Sequence, residues 1–158
     1  MTSFRTKTIS MLAGMAMLAG TSGALAIDAT DPAKILSAMQ EYGFAATLEQ
    51  DSEGDPLISS RISKTKFRVF FFGCDNNTDC SSIHFRAGYN LDKPISALVV
   101  NEWNRQKRFG KAYIDDEGDP FLEMDVNMAF EGLGEENFQD TLDWWRVVVE
   151  GFEEFIDW

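Results

Sequence analysis

Three sets of side chains in this sequence are of types that do chemistry: two acidic runs, a cysteine pair and a lone histidine. The acidic runs read DSEGDPLISS (Asp51 to Ser60) and DDEGDPFLEM (Asp115 to Met124), so EGDP recurs 64 positions on. Asp51, Glu53 and Asp55 match Asp115 or Asp116, Glu117 and Asp119 in spacing, and hard cations favour such oxygen clusters. Asp75 to Asp79 also begins like a calcium loop, but Cys80 stands where the loop needs Gly and Arg86 where it needs Glu, so that match fails. Solvated turns are the stronger reading, and no metal or cofactor is expected.

Cys74 and Cys80 are the only cysteines and flank a polar loop between two apolar runs. An even count behind an export leader reads as a disulfide, and closing so short a loop contributes roughly 2–3 kcal/mol in the chain-entropy account. C-x5-C lacks redox C-x-x-C geometry, and two cysteines with one distant histidine lack a fourth zinc ligand. His84, the only histidine, falls on the polar phase of a strand beside Arg86 with no Ser or Cys nucleophile spaced around it. It reads as a surface residue, and no catalytic residue is expected.

The elements that must position these groups begin after a leader. Arg5 and Lys7, the apolar stretch Ile9 to Gly20 and Ala24-Leu25-Ala26 make a secretory signal over residues 1–26. Residues 27–158 are expected to form one domain in the periplasm, free of the membrane once the leader is removed. That segment carries 12 bases and 26 acids, a net −14, which excludes nucleic-acid binding through the net field. The charge is uneven: residues 61–111 hold ten bases and four acids.

Asp31-Pro32 caps and opens a first helix that Gly43 ends, with strands over Phe44–Glu49, Leu57–Ile62, Phe67–Phe72 and Ile83–Tyr89. A second helix is expected from Pro94, with Arg105, Lys107 and Arg108 in its last turn and Gly110 at its end. Strands then follow at Ala112–Ile114 and Leu122–Met128, and a long helix from Glu135 to about Ile156. Each EGDP falls between two strands. Gly54 and Gly118 supply the positive φ of a tight turn, and Pro56 and Pro120 sit at a strand's first residue. The recurring order helix, strand, EGDP, strand hints at a duplication.

Period-two alternation sorts the strands. Phe67, Val69, Phe71, Ile83, Phe85, Ala87, Leu122, Met124 and Val126 would meet the helices. Arg61, Lys66, Arg68, Phe70, Phe72, His84 and Arg86 would face the other way, and arginine with aromatics is what anchors interfaces. The alternative is that Glu123 and Asp125 neutralise these bases across strands. On the last helix Phe138, Leu142, Trp145, Val149, Phe152 and Ile156 form one stripe, and Trp144, Val148 and Phe155 form a second about 100° away. The second stripe either joins the same core or meets a partner or a second copy.

FFGC at 71–74, CSSIHFRAGY at 80–89, NEWNRQKRFGKAYIDDEGDPFLEMDV at 101–126 and NFQDTLDWWRVVVEGFEEF at 137–155 resemble the YbjN family of bacterial sensory transduction regulators. The resemblance implies an α+β fold similar to type III secretion chaperones, a mainly antiparallel sheet of five to six strands with three helices, and no established catalytic residues. The expected function is a non-catalytic regulatory module holding a peptide or protein partner, with a homodimer among its states. The alternative is a small exported hydrolase using paired carboxylates, which requires a deep pocket where two carboxylates converge.

Overall fold

The computed structural model describes residues 26–158; the expected leader lies outside them except for Ala26. The described residues form α1 (Pro32–Tyr42), β1 (Thr47–Gln50), β2 (Pro56–Ile62), β3 (Thr65–Phe72), β4 (Ser82–Gly88), α2 (Ala97–Gln106), β5 (Lys111–Ile114), β6 (Pro120–Asn127) and α3 (Glu135–Ile156). The class is α+β. Its six strands make one antiparallel sheet in the order β1-β2-β3-β4-β6-β5.

Local chemistry accounts for most boundaries. The Asp31 carboxylate accepts the Lys34 N–H, Pro32 takes the first turn of α1, and Gly43 ends it at φ 109°, a left-handed value that glycine adopts freely. Both EGDP stretches are hairpin turns built alike. Asp51 Oδ1 accepts the N–H of Glu53 and Asp55 at 2.9 and 3.0 Å, and Asp115 Oδ1 accepts those of Glu117 and Asp119 at 3.0 and 2.9 Å. Gly54 and Gly118 stand at φ 94° and 88°. The leading aspartate of each run is thus spent on its own backbone. Cys74 and Cys80 form a disulfide, and Asn77 in their loop donates to Glu53 O and Asp55 Oδ1, fastening that loop to the first turn.

The repeat extends well beyond the turns. With an offset of 64, Thr47–Gln50 becomes Lys111–Ile114, Pro56 becomes Pro120, and α2 overlays positions 33–42 of α1. The pairing Thr47 with Ser59 becomes Lys111 with Glu123. A two-fold axis normal to the sheet, between β3 and β4, would exchange β1 with β5 and β2 with β6 while preserving every strand direction.

Two expectations are corrected. The second helix starts at Ala97 and not at Pro94, because the chain before it is committed to the second turn. Leu91 N–H donates to Asp119 Oδ1, and Ile95 N–H to Gly118 O. It also stops at Gln106, with Lys107 already extended. Only Arg105 lies in its last turn, so Lys107 and Arg108 do not serve the helix dipole. The first strand begins at Thr47 and not at Phe44; Phe44 and Ala46 are buried on the way into it.

The helices share one face of the sheet. Trp145 of α3 lies across β3 and β4, its ring 5.7 Å from Phe67 and 5.4 Å from Phe85. Trp103 of α2 packs on Phe152 of α3 at 5.0 Å. Beneath them Ile58, Val69, Phe71, Ile83, Ala87 and Leu122 are fully buried. Among the described residues, no helix lies on the opposite face.

Candidate functional site

The uncovered face is read from the strand register. One row runs Ser59, Arg68, Arg86, Glu123, Lys111; the next runs Leu57, Phe70, His84, Asp125. Arg61 and Lys66 pair at one corner, and Gly88, Phe121 and Tyr113 line up along one end. Alternation thus brings Arg61, Arg68, Phe70, Phe72, His84 and Arg86 onto one surface.

This surface is divided electrostatically. On its β4–β6–β5 side the charges neutralise one another. Glu123, itself buried, lies 3.3 Å from His84 Nε2, 3.4 Å from Arg86 Nε and 3.6 Å from Lys111 Nζ. Tyr113 OH donates to it at 2.9 Å. Asp125 meets His84 Nδ1 at 2.6 Å and Lys111 Nζ at 3.3 Å. The hydrogen bond with His84, then that with Lys111, holds the Asp125 carboxyl below its ordinary value of 3.8. Its stabilising effect is therefore present above 3.8 and fades as pH falls through the lower folded value. The Arg86 guanidinium lies over the Phe121 ring at 4.4 Å, a cation–π contact. Phe121 in turn covers Gly88, where an added Cβ would stand 2.7 Å from the ring.

On the β2–β3 side the bases are open. Among the described residues no carboxylate lies within ion-pair distance of Arg61, Lys66 or Arg68. Arg61 stands opposite Lys66, and Arg68 opposite Arg86. Like charges placed directly across a ladder are destabilising, and an anion would relieve them. Two adjoining shallow cavities of about 350 and 430 Å³ lie here. Lys66, Arg68, Phe70, Arg86, Gly88 and Phe121 border the first; Glu49, Ser59, Arg61, Lys66 and Arg68 border the second. Phe72 is half exposed beside them.

His84 is not the surface residue its strand phase suggests. It is 8 % exposed, enclosed by Phe70 and Phe72 at 6.3 and 5.7 Å between ring centroids and by the two carboxylates. The second stripe of α3 is split. Val148 is buried near Gly110, Phe155 is half-buried on Trp103, and Trp144, 41 % exposed, leans on Phe109 at 4.7 Å beside exposed Val147. Phe121, Tyr113 and Lys111 escaped the sequence reading. Phe121 shares strand parity with Glu123 and could have been assigned to this face; the other two depend on which strand pairs with β6.

All three tyrosines hold their protons above the ordinary value of 10.0. Burial and the hydrogen bond to Asp143 push Tyr42 up to about 12; burial raises Tyr89, and burial with the Glu123 hydrogen bond raises Tyr113. A raised folded value means that stability is full below pH 10 and lost as pH rises through the folded values. Ultraviolet titration of the native protein should show little tyrosinate at pH 10, whereas the denatured chain is half ionised there. Overlapping curves would count against these environments.

Among curated proteins none matches the chain. A family described as "Putative bacterial sensory transduction regulator" matches residues 31–158, from the cap of α1 to the last residue. The strands and turns that build the uncovered face, and the helices behind it, all lie within that match, and the chain belongs to the YbjN family.

Proposed function

We propose that the chain is an exported, non-catalytic regulatory module that holds an acidic or amphipathic segment of a protein partner on its uncovered sheet face. The observation that carries this reading is the group Arg61, Lys66 and Arg68, with no carboxylate partner among the described residues and flanked by Phe70, Phe72 and the stacked Arg86. Cations beside exposed aromatic surface suit a partner with carboxylates and apolar side chains. The Cys74–Cys80 disulfide and the basic, apolar start of the sequence support export to the periplasm. The hydrolase alternative has less support, because the carboxylates that converge on this face, Glu123 and Asp125, are tied to His84 and Lys111.

The test is a titration with a synthetic peptide rich in Glu and Phe, followed by backbone NMR shifts. Shifts should map to β2, β3 and β4. Arg68→Ala and Arg61→Ala should each weaken binding by more than about 1 kcal/mol, while Lys64→Ala, at the rim over Trp158, should cost little. Shifts confined to α3, or unchanged affinity in the arginine variants, would move the site elsewhere.

A further inference from the structure

The offset of 64 also relates the side chains that guard the two outer edges of the sheet. Asn104 of α2 corresponds to Gln40 of α1, and Ala112 of β5 to Leu48 of β1. Asn104 closes its edge: Oδ1 accepts the Ala112 N–H at 2.8 Å, and Nδ2 donates to Ala112 O at 2.9 Å. Gln40 reaches only Ala46 O, at 3.0 Å, two residues short of Leu48. Antiparallel ladders alternate between pairs that exchange hydrogen bonds and pairs that do not. Asp51 N–H donates to Asp55 O, and Pro56, opposite Gln50, has no N–H to give. The bonded pairs are therefore Glu49 with Leu57 and Thr47 with Ser59, and the N–H and C=O of Leu48 and Gln50 point away from the sheet. All four β1 residues are exposed, Leu48 to 41 %. The strand holds no Lys or Pro, two of the usual devices that blunt an edge.

We infer that β1 pairs with β1 of a second copy, antiparallel about a two-fold axis at Leu48, so that the two sheets become one. Three conditions select this register. Residues directly opposite must share a face, and Thr47 and Glu49 lie on the uncovered one. The outward main-chain groups at the axis must belong to Leu48 or Gln50. Like charges must not meet. Leu48 on Leu48 satisfies all three and places Thr47 against Glu49, whereas a shift to Leu48 on Gln50 would set Glu49 against Glu49, which is unfavourable. In the selected register Gln50 faces Ala46, whose carbonyl keeps a lone pair beside Gln40. Asp51 of one copy comes opposite Ala45 of the other, next to Arg61, which lacks a carboxylate partner among the described residues. The uncovered faces then run on as one surface. The inference stands without the acidic-partner reading. An edge of four residues makes a small, reversible interface.

Sedimentation of the purified protein over a wide concentration range should show a monomer–dimer equilibrium. Leu48→Lys should raise its dissociation constant roughly tenfold or more by setting two cations at the axis, while Val147→Lys, on α3, should leave it unchanged. Circular dichroism confirms folding of both. Leu48→Cys should give a disulfide-linked dimer on mild oxidation, with Cys74–Cys80 intact by peptide mass mapping. A monomer at every concentration, a dimer broken by Val147→Lys but not by Leu48→Lys, or no cross-link through Cys at position 48 would overturn the inference. So would capture of an extended peptide along β1 without self-association.

Discussion

Trp145→Ala should lower the free energy of unfolding by about 3–5 kcal/mol, a large share of the roughly 5–15 kcal/mol that holds a domain folded. Trp145 is fully buried, and its ring touches Phe67 on β3 and Phe85 on β4. It is the contact by which α3 grips the middle of the sheet, so truncation opens a cavity between layers that no single neighbour can fill. Trp145→Phe should cost roughly half as much or less, because a ring remains and the indole N–H has no hydrogen-bond partner to lose. Denaturant unfolding of both variants measures this as a shift in midpoint at constant slope. A Trp145→Ala loss below about 1 kcal/mol would mean that α3 is not seated as described.

Glu123→Ala should act in two directions at once. Stability should fall by about 1–3 kcal/mol, since the buried carboxylate accepts from Tyr113 and sits between His84, Arg86 and Lys111. The figure stays below that for a fully buried pair because Lys111 and Arg86 keep 59 % and 38 % of their side chains in solvent. Affinity for the acidic peptide should rise, because Arg86 loses its carboxylate and joins the open bases on the same face, while Lys111 stays beside Asp125. Glu123→Gln separates the effects: it keeps an acceptor for Tyr113 while removing the charge, so it should recover part of the stability and retain the tighter binding. A variant that binds the peptide more weakly, once shown to be folded, would argue against an anionic partner at this face.

The division of charge on the uncovered face also follows from a difference between the two halves of the structural repeat. Ser59 on β2 corresponds to Glu123 on β6. One half of the sheet thus has a buried carboxylate beside Arg86, Lys111 and the His84 ring, and the other half a small hydroxyl beside Arg68 that leaves its cations open. The edges differ in the same way, with Asn104 bonded to both main-chain groups of Ala112 on β5 and Gln40, one methylene longer, bonded to Ala46 short of β1.

What the sequence determined by itself was local or periodic. Asp31-Pro32 and Gly43 bounded α1 through cap chemistry, and EGDP specified two hairpins through glycine conformation and proline's missing donor. Period-two alternation placed Arg68, Phe70 and Arg86 on one face, since parity along a strand requires no knowledge of its neighbours. Two cysteines left only one pairing, and the structure has it. What the tertiary structure decided depended on neighbours. The start of α2 was set by a turn more than 20 residues downstream in the chain, which holds Leu91 and Ile95 by hydrogen bonds. His84 is buried because β6, and not β5, lies beside β4 and brings Glu123 and Asp125 against it. Arg61, Lys66 and Arg68 are left open because their neighbours across the ladder are Ser59 and other bases. Parity gives a side chain its face, but strand order and register give it its partners, and whether a charge is neutralised or available depends on the partners.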